Sequence, residues 1–305
     1  MIAGGPTAGS LVSGPDPAPA GRPLRRQAWR RGWYRFARNP TAVAGLVITV
    51  LVIVVALLAP LIAPYPNAAG NFVDFAHMLQ PPAWPHIFGT DNAGRDLFSR
   101  VLFGYRISLV LVAFVLTIGV PVGVFIGLVA GYYGGWVEAV LLRVTDVFLS
   151  VPALVMAMAI TSVLTPNLLN AMIAVTALWW TWYVRLVHGI TVSLKQEDYV
   201  DAARLMGAGP MHIMLREILP NALSAVLVKL TLDAGFVILI GAALSFLGLG
   251  VQPPQADLGT MVAAGTQDLP SGWWETVFPG LGIVLAVLGF NLLGDGLRDL
   301  FDVDV

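Results

Sequence analysis

The sequence predicts an all-α integral membrane protein with six transmembrane helices. Three observations carry that expectation. Of 305 residues, 57% are hydrophobic and 11% charged, with a mean hydropathy of +0.79, a balance suited to lipid and not to a soluble domain. Apolar runs long enough to cross a bilayer recur along the chain. Lys and Arg gather on alternate connections between those runs, as orientation in a membrane requires. With no cysteine in the chain, disulfides, thiolate catalysis and cysteine metal sites are excluded.

Residues 1–21 are rich in Gly, Pro, Ala and Ser and read as a disordered tail. Arg22, Arg25, Arg26, Arg30, Arg31, Arg35 and Arg38 follow, interleaved with Trp29, Trp33, Tyr34 and Phe36. Standing just before a hydrophobic span, they mark a cytoplasmic, lipid-facing end with interfacial anchors, and not a nucleic-acid site. Residues 1–40 thus form a basic N-terminal segment. Thr41 to Ala63 is uncharged and makes the first span; its length and basic leader argue against a cleaved signal.

Residues 64–104 are polar and proline-rich, an extracellular segment with a short amphipathic helix. Thr90 or Asp91 is expected to cap that helix, with Phe98, Val101, Leu102 and Tyr105 as its apolar face. Asp91, Arg95 and Asp96 could pass for a catalytic or metal cluster. Caps and surface ion pairs are the expected roles, with Asp96 and Arg100 spaced i, i+4.

A five-helix core is expected over 105–298, followed by a cytoplasmic tail at 299–305. Its first helix, about 107–132, carries Gly119, Gly123 and Gly127, a four-residue spacing that lets another helix approach closely. The next begins with Glu138, Arg143 and Asp146 and turns apolar over about 147–164. Pro166-Asn167 makes an outer turn before a span at about 168–187. A further span, about 222–250, holds Lys229 and Asp233 one turn apart. Either Lys229 snorkels to the cytoplasmic interface with Asp233 beside it, or the pair faces a translocation cavity. The last span covers about 277–293.

Between the spans at 168–187 and 222–250 lies a polar loop, 196–221. Asp198 is expected to cap a first helix, with Asp201 as a capping-box acid. Ala202, Leu205 and Met206 share one face. Gly207 suits the left-handed end of a helix, Pro210 the first turn of a second, and Pro220 its close. The product is a small helical knob at a membrane surface. In this topology Arg143, Arg185, Lys195, Arg204, Arg216 and Arg298 join the leader inside. Arg95 and Arg100 lie outside, with Arg106 at the boundary.

Asp201-Ala202-Ala203, Gly207 at the following step and Leu219-Pro220 resemble the "EAA" coupling loop of ABC-importer permeases. Asp201 replaces a Glu there, and Glu217 stands where the general pattern has Ile. HIFGTDNAGRDLFSRVLFGYRISL, with Gly89, Thr90, Asp91, Gly94, Arg95 and Asp96, is similar to a signature of the dipeptide, oligopeptide and nickel importers. Residues 35–65, LSFLGLGVQPP and FPGLGIVLAVLGFNLLGDGLRD match the same subfamily in register. The resemblance implies a type I importer permease fold in a bacterial inner membrane, with both termini cytoplasmic. It also implies a homologous second permease, two ATP-binding subunits docked at the coupling loop, and an extracellular peptide-binding lipoprotein. Peptide is the expected substrate, with nickel and glutathione as alternatives within the subfamily.

No phosphate-cradling G-x-x-x-x-G-K-[ST] run occurs in the chain, so ATP and Mg are expected on the partners and no cofactor on this chain. H-E-x-x-H and G-x-S-x-G are also absent, and His77, His86, His188 and His212 are scattered without ligand spacing. No catalytic residue and no metal ligand are expected. A passive channel would give a cytosolic docking knob no purpose.

Overall fold

The computed structural model describes residues 33–301. The tail at 1–21, the arginines from Arg22 to Arg31 and residues 302–305 lie outside the described residues. Residues 33–38 are helical. Asn39 then caps α1 (Pro40–Ile62), its side chain accepting from the amides of Thr41 and Ala42. The remaining long elements are α2 (Leu97–Tyr133), α3 (Gly135–Leu149), α4 (Ala153–Val163) and α5 (Leu168–Leu194). The short α6 (Asp198–Leu205) follows. A continuous α7 (Pro210–Phe246), a short α8 (Leu258–Gly265) and α9 (Trp273–Phe301) complete the chain. Among the described residues there is no named strand.

Four helices, α1, α2, α7 and α9, are long and apolar enough to span a membrane, and the bent pair α3–α4 makes a fifth. The sixth expected span is α5. At 27 residues it is long enough, but Trp179, Trp180, Trp182, Tyr183, Arg185 and His188 make it more polar than the others.

Small residues decide how these helices pair. Gly119, Gly123, Gly127 and Gly131 of α2 lie against Trp179, Tyr183, Val187 and Thr191 of α5. A Cβ on Gly123 would meet the Tyr183 Cβ at 2.7 Å, and one on Gly127 the Val187 Cβ at 2.9 Å. The expected glycine stripe is therefore the α2–α5 seam. In the same way α9 packs on α1 and α7, Gly289 resting on Ile48 and Gly294 on Leu232.

Three boundaries differ from those expected. The short helix near Asp96 is the first turns of α2 and not a separate element: no breaker interrupts Leu97 to Tyr133, and Pro121 is absorbed within the helix. The third span is broken. Its halves meet at 80° across residues 150–152, where Pro152 disfavours helical geometry at Val151. Pro220 closes nothing, because α7 runs through it. The preceding residues Ile213–Ile218 are wound as a π-helix, and the Leu219 amide reaches back to the Met214 carbonyl. A proline lacks the N–H and its ring crowds the carbonyl four residues earlier; the wider π winding relieves both.

α3 is tied to α5 by Phe148 on Trp180 and by two polar contacts, and a third polar contact joins α2 to the end of α5. Asp146 pairs with Arg185 of α5, and Glu138 lies 2.7 Å from the His188 ring nitrogen. Lys195 donates to the Gly131 carbonyl at 2.8 Å. Much of the rest of α3 is uncovered, including Trp136, Val140, Val144 and Val147.

Candidate functional site

The polar loop at 196–221 joins α5 to α7. Glu197, extended at φ −78 and ψ 143, holds the N-cap position of α6 without a side-chain bond. Asp198, expected as the cap, is instead the first helical residue. With Asp201 it puts two acids in the first turn, where the helix dipole favours them. Asp201 also pairs with Arg204 at 2.8 Å. Gly207 follows the helix at φ +86, the left-handed end its position predicts. Its amide donates to the Arg204 carbonyl, and the Ala208 amide to that of Ala203. Pro210 sits at the first position of α7.

Only one side of this knob is packed. Val200 and Ala203 are buried, with Ile213, Met214 and Ile218 in the same core. The face expected from spacing points away: Ala202 is exposed, Leu205 is 90% exposed and Met206 81%. Glu217 is half-buried 3.8 Å from His212, while Leu219 is half-buried and Pro220 exposed. A capped, polar helix thus presents two bare apolar side chains at the loop's tip.

The signature at 89–96 forms a buried polar joint, not a surface one. Gly89 and Gly94 have φ of +78 and +73, and a side chain on Gly94 would run into the Asp74 backbone. Thr90, Asp91, Asp96 and Arg100 are all buried. Asp91 accepts from the amides of Ala93 and Arg95, each at 2.9 Å, and from Arg95 Nε at 2.7 Å. Arg100 lies 3.4 Å from Asp91, and donates to the carbonyls of Ala68 at 2.8 Å and Pro254 at 3.3 Å. Asp96 is the cap of α2, taking the Ser99 amide at 2.8 Å and facing the His86 ring at 2.8 Å.

The expected Asp96–Arg100 pair is therefore replaced by Asp91–Arg100. The cap role expected of Thr90 or Asp91 falls to Asp96. Thr90 instead accepts from the Trp274 indole at 3.1 Å through its carbonyl. These bonds lock residues 64–96 onto α2, α9 and the 252–257 turn. Nearby, Asp257 caps α8, taking the Thr260 amide at 3.0 Å. Burial pushes its carboxyl above the ordinary aspartate value, against the bonds from Thr260.

Lys229 and Asp233 meet inside the helix bundle. Lys229 Nζ donates to Asp233 Oδ1 at 3.0 Å, and the Trp179 indole donates to Asp233 Oδ2 at 3.1 Å. The ammonium lies 5.6 Å from the ring centroids of both Trp182 and Tyr183. Trp179 stands about 16 Å along α5 from Leu168 at 1.5 Å per residue, close to half of a roughly 30 Å hydrocarbon core. Lys229 is near the midpoint of α7. The side chain thus turns to a carboxylate and two rings, a set of partners common to both expected placements. Sequence reasoning missed the three α5 aromatics. Their cluster in the WWTWY run is visible, but nothing in it points to a residue about fifty positions later. Among the described residues no group of three or more His, Cys, Asp and Glu could hold a metal ion.

The chain belongs to the family of binding-protein-dependent transport system inner membrane components, whose profile matches residues 123–305. Residues 27–82 match the N-terminal TM domain of oligopeptide transport permease C. The glutathione transport system permease protein GsiD of Pectobacterium atrosepticum is 40% identical over 277 residues, 91% of each chain. The dipeptide transport system permease protein DppC of Alkalihalophilus pseudofirmus is 39% identical over 287 residues, 94% of this chain and 93% of that one. A chain of the MetNI methionine ABC transporter, solved facing inward, shares the fold with a TM-score of 0.51 at 20% identity, covering 67% of this chain and 94% of that one. The protein is a permease component of an ABC importer, a multi-pass membrane subunit that works with ATPase and substrate-binding partners.

Proposed function

We propose that this chain is one of two homologous permeases of a bacterial inner-membrane importer for di- and oligopeptides, with both termini in the cytoplasm. The carrying observation is the tip of the coupling loop, where Leu205 and Met206 stand 90% and 81% exposed on a capped helix. Two adjacent apolar side chains at the tip of a polar helix suit a docking contact, and a groove on one of two ATP-binding subunits is the partner proposed. ATP and Mg would reside there, leaving this chain without catalytic residues or a bound cofactor. ATP drives transport only if it binds one conformation more tightly than the other. A rigid knob, fixed by Gly207 and the Val200–Ala203 face, suits the transmission of that difference to α5 and α7. The polar joint at 89–96 would face outward, toward an extracellular peptide-binding lipoprotein.

Peptide is favoured because relatives named for dipeptide and for glutathione transport match over nearly the whole chain. Glutathione, a tripeptide, is the second reading. Purification of this chain from its native membrane should recover a second permease, ATP-binding subunits and a binding lipoprotein. Reconstituted in proteoliposomes, that complex should import a labelled dipeptide with ATP. Recovery as a lone homo-oligomer would refute the importer reading, and uptake of glutathione without dipeptide would favour the second one.

A further inference from the structure

The uncovered residues of the bundle divide by chemistry. On α1 they are Val47, Val50, Leu51, Val54, Leu57, Leu58 and Leu61, a face that lipid can cover. On α3, α5 and α7 they include charge. Trp182 and Arg185, spaced i, i+3 on α5, are both exposed, and Arg185 pairs with the equally exposed Asp146 of α3. Lys229 lies beside Trp182, and Phe236, two turns along α7, is 53% exposed. Arg185 and Asp146 lie toward the inner end of the spans, but Lys229 lies within one, and a charged side chain there faces protein or a water-filled cavity, not lipid. The face around Lys229 therefore looks into the assembly.

Lys229 is the part of that face built to receive something. Its ammonium has three N–H donors, yet among the described residues it makes one hydrogen bond, to Asp233. Its side chain keeps 20% of its surface open. Each oxygen of Asp233 is held, one by Lys229 and the other by Trp179. The site thus offers unused cation donors beside a carboxylate already paired with a cation. That suits an anionic group. Trp182 lies beside it and exposed Phe236 packs on Trp179, the indole that holds Asp233; such rings accept varied apolar side chains without selecting one. A carboxylate attached to variable apolar groups is what a peptide presents.

We propose that Lys229 is a transit site for the carboxylate of a peptide, which takes up the free ammonium donors while Asp233 holds the lysine in place. The inference rests on the peptide-importer reading. Because Asp233 already neutralises the lysine, the added attraction is modest, and a passage needs sites weak enough to leave. The carboxylate hands over from Lys229 as the pathway opens, with no covalent step.

The test uses the complete importer in proteoliposomes with saturating binding protein and a labelled glycyl-leucine probe. Lys229→Met leaves Asp233 buried and unpaired, so the paired variant Lys229→Met/Asp233→Leu, which removes both charges together, is the informative one. At equal amounts of assembled complex and equal nucleotide hydrolysis, its uptake should fall about tenfold, the scale of one charge-assisted hydrogen bond. Lys229→Arg should retain uptake. Wild-type uptake by the paired variant, or failure of that variant to assemble, would show the pair to be structural and overturn the proposal. If the unmodified importer takes up neither this dipeptide nor glutathione, the peptide reading itself fails and the transit site falls with it.

Discussion

Trp179 of α5 donates its indole N–H to Asp233 of α7 at 3.1 Å, on the carboxylate oxygen that Lys229 does not use. One acid thereby joins two spans and holds a cation between them. Trp179→Phe keeps the ring and removes the donor. The complex should lose about 2 kcal/mol, the range for a hydrogen bond to a charged group, read as a lower melting temperature in detergent. An unchanged melting temperature would mean the bond is not formed in the assembled importer.

Gly207 has φ +86, and a Cβ added there would meet nothing within 4 Å, so its demand is conformational and not spatial. A β-branched residue resists that geometry, whereas Asn tolerates it. Gly207→Val should uncouple ATP hydrolysis from uptake while Gly207→Asn stays close to wild type. Normal substrate-stimulated hydrolysis in the valine variant would count against the loop's proposed role.

Breaking the joint between Asp91 and Arg100 should be costly. Both side chains are buried, at 7% and 4% exposure; losing Arg100 leaves Asp91 its Arg95 partner but strips the Ala68 and Pro254 carbonyls of their donor. Arg100→Met should destabilise the complex by about 1–3 kcal/mol and reduce its yield from membranes. A loss below about 1 kcal/mol would indicate that solvent reaches the joint.

Asp257 gives a dependence on pH. Its folded carboxyl holds its proton more tightly than the ordinary value of 3.8, because burial penalises the charged form. The folded state therefore binds more protons than the unfolded chain, and its stability falls as pH rises from that value toward the raised one. Asn can cap α8 equally well without the charge. Asp257→Asn should match wild type near pH 4 and exceed it increasingly at higher pH in thermal melts. A constant difference across pH would exclude this origin.

Local features were legible in the sequence wherever one residue's own chemistry decided the outcome. The glycines at 119, 123 and 127 announced a close helix seam, Gly207 a left-handed turn, and Pro210 a helix start. The series of apolar spans and the shared face of Ala202, Leu205 and Met206 followed from pattern alone, while the exposure of that face did not. What escaped depended on distant partners. Pro220 reads as a stop, and only the π winding of Ile213–Ile218 lets α7 pass through it. Asp91, Asp96 and Arg100 read as a surface set because their spacing is helical. Their burial comes from Ala68, His86 and Pro254, which no local pattern connects. The three aromatic residues that α5 places around Lys229 and its acid were likewise out of reach of any local pattern.

The central claim is that the coupling loop docks on an ATP-hydrolysing subunit through Leu205 and Met206. The chain has no cysteine, so Leu205→Cys supplies a single thiol at the tip of the knob. A short bifunctional cross-linker applied to native membranes should join that thiol to an ATP-binding subunit, with a change in yield when nucleotide is added. The same treatment of Trp84→Cys, in the 64–96 segment, should give no such product. An ATPase adduct from Trp84→Cys and none from Leu205→Cys would contradict both the docking site and the orientation of the chain.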